Sequence, residues 1–416
     1  MRAGEATGPA RPVPLWQNHD YLLLWAGQAI SVVGTQVTQI AFPLLVLALT
    51  GSPAAAGFVA AARTVPYLLF TLPAGALVDR WDRKLTMILC SAGSALALAS
   101  IAVAYALGAL TIAQLAIVSF VEGTFAVVFG LAETSALPHV VSKAQLPAAV
   151  AQQQMQYSMG GIIGPPLGGA LFSASPLLPF AVDAASYAAS SLSLGAIRTR
   201  FEGARGAAGR SLWGEIAEGV RWLWRQPLVR FMALLTGLIN FALSGNTLIV
   251  IVLAARQGAS PAVTGAIFAA AGVGGVLGAL LAPRVQRRLT FGQAIIGLSW
   301  CFTATLLMFS VAVSPALIMV VLATLSLVGP SYDTVQLTYR LALIPDALQG
   351  RVNSVFRLVA QGMSPLGLAL TGVLLEVAGP VATALTLGGV LAAIAVLATL
   401  NRHVRDAPAL LDAPAG

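Results

Sequence analysis

Twelve long apolar runs dominate this sequence, and they leave few folds open to it. A helix that crosses the hydrocarbon core of a bilayer needs about 20 predominantly apolar residues. Runs of that kind lie near 21–49, 55–78, 86–107, 111–133, 149–173 and 177–197, and again near 230–254, 262–283, 291–311, 315–336, 352–376 and 381–400. Only 9% of the 416 residues are charged and 58% are hydrophobic, whereas a soluble chain carries roughly 25% charged residues to clothe its surface. The solvent around most of this chain is therefore lipid. The fold class expected is an all-α integral membrane protein of twelve transmembrane helices.

The widest interruption, residues 198–229, is rich in arginine and divides the runs into two sets of six. Its second part places Trp213, Ile216, Val220, Leu223 and Trp224 at helical spacing, which predicts an amphipathic helix at the membrane interface. The organisation read from the chain is a tail over 1–20, a six-helix bundle over 21–197, a linker over 198–229, a second six-helix bundle over 230–400 and a tail over 401–416. Of the 23 Lys and Arg, all except Arg63 and Arg256 fall on one side if the chain weaves twelve times. Positive charge gathers on the cytoplasmic side of membrane proteins, so both termini are expected there, in the inner membrane. The net charge of +8 is thus an orienting device, and no nucleic-acid partner is expected.

The two halves echo one another. Asp79-Arg80-Trp81-Asp82-Arg83-Lys84 follows the second run and Pro283-Arg284-Val285-Gln286-Arg287-Arg288 follows the eighth, with the three basic residues at the same spacing. Gly75, Asp79, Arg80, Arg83 and Lys84 make a short-loop pattern in which glycine permits close helix approach, the acid meets a helix dipole and the bases hold the loop at the anionic face. In the fifth run, Gly160, Gly164, Pro165, Gly168 and Gly169 give one smooth helix face with a bend at the proline. Gly274 and Gly278 of the eighth run, with Gly272 and Gly275, are the expected partner. These patterns, together with Leu72-Pro73-Ala74-Gly75 and Pro345-Asp346-Ala347-Leu348-Gln349-Gly350-Arg351-Val352, resemble those of the major facilitator superfamily, in the branch that contains drug and siderophore exporters. The resemblance covers about residues 15–400. It implies two pseudo-symmetric six-helix bundles that alternate access around a central site, and a proton-driven efflux pump for amphipathic compounds.

Ionisable groups at membrane depth are costly and mark candidate sites. Glu122, Asp183 and Arg63 are the proton-coupling candidates, and a pairing of Arg63 with Asp183 is one arrangement open to them. Glu133, Asp333, Arg340 and Arg357 lie near the expected cytoplasmic face as gate or anchor charges, and Glu376 is expected to be solvated near the outer face. Gln28, Thr35 and Gln39 share one face of the first run, and Asn240 and Ser244 repeat the idea in the seventh; with Tyr157 they are the candidate substrate path.

No phosphate-binding GxxxxGK[ST] pattern occurs, His19, His139 and His403 are scattered, and Cys90 and Cys301 lie within apolar runs. No metal, cofactor, disulfide framework or enzyme activity is expected. The partners expected are a small-molecule substrate, protons and the lipid bilayer, with the chain acting as a monomer. An importer or passive facilitator is the alternative within transport. A non-transporting receptor or scaffold is the alternative outside it, and the short loops opposite the termini speak against that.

Overall fold

The computed structural model describes residues 14–78, 81–199, 201, 212–345, 348–405 and 407. The first half contains α1 (His19–Thr50), α2 (Pro53–Val78), α3 (Arg83–Ala106), α4 (Ile112–Val140), α5 (Leu146–Ala174) and α6 (Leu178–Ala196). After the linker helix α7 (Leu212–Arg225), the second half contains α8 (Pro227–Leu243), α9 (Asn246–Arg256), α10 (Pro261–Arg288), α11 (Phe291–Met308), α12 (Pro315–Leu343), α13 (Gln349–Gly362), α14 (Ser364–Val377) and α15 (Gly379–Leu400). The pairs α8–α9 and α13–α14 each make one broken span, so twelve spans result. Among the described residues, ten of these are long and apolar enough to cross a membrane on their own composition. The other two are α5 and α6; α5 begins with a run of glutamines and is held by its neighbours rather than by lipid alone.

The surface is apolar where lipid would touch it: Leu96, Leu192 and Leu280 are 73%, 77% and 63% exposed. Helices suit this solvent because each backbone donor finds its acceptor within the segment. Short turns join them. On the face away from the termini, α1, α3, α9 and α14 are each followed by a glycine in the left-handed region, Gly51, Gly108, Gly258 and Gly379, with φ between 66° and 78°. That conformation is nearly free for glycine and costly for other residues, so it stops a helix and reverses the chain in few residues. We call this the distal face, and the opposite one, which carries residues 19 and 400, the terminal face.

Each packing in the first half recurs in the second. The pairs α1–α6, α3–α6, α2–α4 and α3–α4 reappear as α8–α15, α11–α15, α10–α12 and α11–α12. Two seams, equivalent under that repeat, join the halves. In one, α5 crosses α10 at Gly169, where a β-carbon would strike the carbonyl of Pro261, and at Gly265, where it would strike the carbonyl of Pro165. In the other, α2 crosses α14 where Gly57 and Gly372 face each other backbone to backbone. Both crossings lie toward the distal face. A clasp sits at that end of the second seam: Glu376 of α14 accepts from the hydroxyl of Ser52 and from the backbone N–H of Ala54 at 3.0 Å. The second half thereby caps the N-terminus of a first-half helix, where a carboxylate is stabilised by unpaired N–H groups and the helix dipole. Glu376 is thus exposed, as expected, but also bonded.

The glycine partner differs from expectation. Gly265 and Gly272 of α10 face α5, whereas Gly274 and Gly278 pack against Ala323 and Leu327 of α12, inside their own half. The predicted amphipathic helix is present as α7. It rests on α13, with Gly219 against the carbonyl of Arg351 and Arg351 Nη1 donating to Glu218 at 2.6 Å.

Two outcomes follow. Glu376→Ala should speed amide hydrogen exchange in the first turn of α2 by about tenfold, since a hydrogen bond to a charged group is worth about 1.5–3 kcal/mol; unchanged exchange at Ala54 would show that the clasp holds nothing. Gly169→Val should lower thermal stability by about 1–3 kcal/mol through overpacking at the crossing, read as the unfolding midpoint in detergent, with the same change at the open position Gly195 as the control.

Candidate functional site

Two glycines make room for a polar cluster deep in the first half. Gly123 of α4 lets the backbone of α2 approach until the Arg63 carbonyl occupies the space of a β-carbon. That brings Arg63 beside Glu122, the residue before Gly123. Gly34 of α1 does the same for α6, whose Asp183 and Ser186 fill the space where its side chain would stand. Arg63 Nη2 donates to Glu122 Oε1 at 2.8 Å, and both Glu122 and Asp183 are fully shielded from solvent. Asp183 takes no direct bond from Arg63. Its carboxylate accepts from Thr38 Oγ1 at 2.6 Å and Ser186 Oγ at 3.0 Å, within electrostatic reach of both members of the pair.

A hydroxyl chain runs from this cluster to open space. Thr35 Oγ1 lies 2.9 Å from the Tyr187 hydroxyl, which donates in turn to Glu122 Oε1 at 3.4 Å. The other carboxylate oxygen, Glu122 Oε2, is buried with no hydrogen-bond partner. Tyr187 and Thr35 form part of the lining of a cleft of about 160 Å³, with Gln28, Gln36, Phe125, Phe129 and Tyr157 among its other walls. The cleft occupies the terminal-face side of the first half, and the Arg63–Glu122 pair lies beyond its deep end. Such a pair is costly to bury and strongly destabilising to break from one side, because the remaining charge is left uncompensated. A proton on Glu122 Oε2 would break it electrically without removing any atom.

Of the residues singled out from the sequence, Gln28, Thr35 and Tyr157 line this cleft. Gln39 is exposed, one turn beyond Thr35. Asn240 donates to the carbonyl of Ala360 at 2.8 Å and Ser244 to that of Phe241, so both serve helix packing instead of the cleft. Arg63 pairs with Glu122, not with Asp183. Gly160, Gly164 and Gly168 seat α5 against Val32, Gln36 and Val37 of α1, leaving Gly169 for the seam between halves. Arg83 and Lys84 of the short loop bind helix ends. Lys84 Nζ donates to the Gly195 and Ile197 carbonyls and Arg83 to that of Ser135, at the C-terminal ends of α6 and α4. Asp79 and Arg80 lie outside the described residues. Asp82 is the cap of α3, accepting from the N–H of Leu85, and a side chain at Gly75 would meet nothing. Sequence reasoning passed over Tyr187 and Ser186, although both follow Asp183 at i+3 and i+4 on one helical face.

The second half carries a different polar set. Arg340 is buried, donates to Gln336 Oε1 at 3.2 Å and lies 3.8 Å over the Phe356 ring; Gln336 donates to Thr236 Oγ1, itself 2.9 Å from the Tyr332 hydroxyl.

A family profile described as transmembrane secretion effector matches residues 12–414. The chain is 30% identical over 407 residues to the multidrug efflux pump Tap of Mycolicibacterium fortuitum, a match covering 92% of this chain and 96% of that one. The fold superposes on the crystal structure of nucleoside transporter NupG with a TM-score of 0.74 at 15% identity, over 92% of this chain and 98% of that one. A bacterial homologue of the iron transporter ferroportin, 15% identical in its inward-facing state, gives 0.71 over 92% of this chain and all of that one; its outward-facing state gives 0.58. Two six-helix halves, a cleft open to one face, a buried ion pair and a profile spanning nearly every residue lead to one assignment: the chain is a multi-pass membrane transporter, not an enzyme, and belongs to the transmembrane secretion effector family of the major facilitator superfamily.

Proposed function

We propose that the protein is a secondary active exporter of amphipathic small molecules, driven by proton antiport across the cytoplasmic membrane. The observation that carries this reading is the Arg63–Glu122 pair, fully buried on its acidic side, with one carboxylate oxygen unpartnered and a hydroxyl chain leading to the cleft. The likeness to proteins named multidrug efflux pumps supports the direction and the substrate class. The terminal face, with Arg83, Lys84, Arg198, Arg284, Arg287 and Arg288, is the cytoplasmic one on charge distribution. The arrangement described is then open inward and sealed outward by the two glycine seams and the Glu376 clasp.

In this mechanism a substrate enters the cleft from the cytoplasm or the inner leaflet while Glu122 is ionised and held by Arg63. The halves rock about the seams, and the cleft opens outward. A proton from outside settles on Glu122 Oε2 and frees Arg63 from its counter-charge, and in that state the halves return without substrate. Release of that proton to the cytoplasm restores the pair. Asp183, held by Thr38 and Ser186, stays beside the pair throughout.

Reconstituted protein with a trapped pH dye tests this directly. A panel of lipophilic cations, macrolides and siderophores should drive proton movement in the wild type, and Glu122→Gln should abolish that movement while substrate still binds. Substrate flux indifferent to the pH gradient and to Glu122→Gln would leave a passive facilitator. Stability gives an independent reading of the pair. Glu122→Leu should cost about 3–5 kcal/mol by stranding Arg63, and the double change Glu122→Leu with Arg63→Leu should recover most of it. Thermal unfolding of Glu122→Leu, Arg63→Leu and the double variant in detergent decides; additive losses would mean the pair is not coupled.

A further inference from the structure

The internal repeat supplies its own comparison for Glu133, which the mechanism above does not use. Helices α4 and α12 are each 29 residues long, and Gln336 holds in α12 the place that Glu133 holds in α4. Counted from the first residues of α1 and α8, Thr236 likewise holds the place of Gln28. In the second half the equivalent pair is neutral and closed: Gln336 donates to Thr236 at 3.0 Å, accepts from Arg340, and Thr236 meets Tyr332. In the first half the same two places hold a carboxylate and an amide, and they are not closed. Glu133 is 5% exposed, and among the described residues it makes no salt bridge. Its polar neighbours are the amides of Gln28 and Gln153 and, further off, the hydroxyl of Tyr157. Gln28 is 6% exposed, and although its side chain turns toward Glu133, its Nε2 completes no hydrogen bond.

A carboxylate that meets no cation among the described residues and a buried amide without a partner are both expensive. Both stand beside the terminal-face end of the cleft, where Tyr157 is half exposed and Phe125 and Phe129 add aromatic wall. Glu122 cannot serve a ligand in the same way, because Arg63 already neutralises it. Resting on the exporter reading for the cleft as its location, we propose that Glu133, Gln28 and Tyr157 form a subsite for the protonated amine of an amphipathic substrate: the ammonium N–H groups donate to the Glu133 carboxylate, the Tyr157 ring flanks the cation, and the apolar body lies along Phe125 and Phe129. The subsite makes Glu133 a specificity-determining residue that selects for positive charge, separate from the proton-carrying pair.

The test uses one molecular body in two charge states, monodansylcadaverine and its N-acetyl derivative, the latter neutral. Binding is followed by dansyl fluorescence on the full-length protein in detergent, with no gradient, so the result does not depend on proton coupling. The wild type should bind the amine at least about tenfold more tightly than the acetylated form, the scale of a hydrogen bond to a charged group. Glu133→Gln should bring that ratio close to one while leaving binding of the acetylated form intact, and Glu376→Gln, an acid on the distal face, should leave the ratio unchanged. No preference in the wild type, or a preference that survives Glu133→Gln, would overturn the subsite. Should Glu133→Gln fail to fold, carbodiimide activation of the wild type decides by peptide mass spectrometry: the seated primary amine must attack the activated Glu133 carboxyl and remain as its amide, the urea leaving, whereas the acetylated form has no amine to couple; no amide on Glu133 would overturn the proposal. Charge-selective binding without uphill transport in vesicles would instead sink the exporter reading and leave the subsite standing.

Discussion

The cost of holding charge inside a bilayer governs this molecule more than any single packing contact. An ionised side chain at membrane depth survives only if it is paired, hydrogen-bonded or open to water. Glu122 is paired with Arg63, Asp183 is held by two hydroxyls, and Glu133 has amides but, among the described residues, no cation. Everything around them is arranged to make these solutions possible. Gly123 and Gly34 withhold side chains so that α2 and α6 can press close enough for the bonds to form. The long helices hide their own backbone, leaving the side-chain charges as the unsettled electrostatics in the core.

Duplication gives the fold its frame, and divergence gives it a site. The helix pairings of one half recur in the other, and the two seams are images of each other under that repeat. The polar content does not recur. The first half keeps three buried acids and one partly buried arginine, while the second spends its polar groups on a closed set of Thr236, Tyr332, Gln336 and Arg340. Because the halves are parallel repeats about an axis along the membrane normal, this inequality does not distinguish the two membrane faces; it makes the polar lining of one half chemically different from that of the other.

Much of this was legible in the chain. Hydrophobic run length places all twelve spans, because lipid thickness imposes one length on every helix. It also marks Glu122, Asp183 and Arg63 as exceptional. What run length and helical period do not carry is neighbour identity. They mark Arg63 as a costly charge, with Asp183 as one candidate partner, but not that Glu122, on α4, is the acid it meets. The glycines of α10 show the same gap: Gly265 and Gly272 face α5, Gly274 and Gly278 face α12, and both pairs have spacing suited to close packing. The polar stripe of α1 does open on a cleft, whereas Asn240 and Ser244, equally polar, are absorbed by backbone carbonyls. Spacing alone does not separate a residue that faces water from one that braces a neighbour.

The linker has a mechanical corollary. Its first part is pinned to the first half, where Thr199 donates to Asp20 and Phe201 is almost fully buried among the helices of that half. Its last part, α7, is pinned to the second half through Glu218, Gly219 and α13. Between Phe201 and α7 runs a leash whose covalent reach, fully drawn, is about 40 Å. However the halves move, the two anchors cannot part by more than that reach. A shortened leash would act as a governor on the stroke, trimming the widest opening while leaving the closed end untouched.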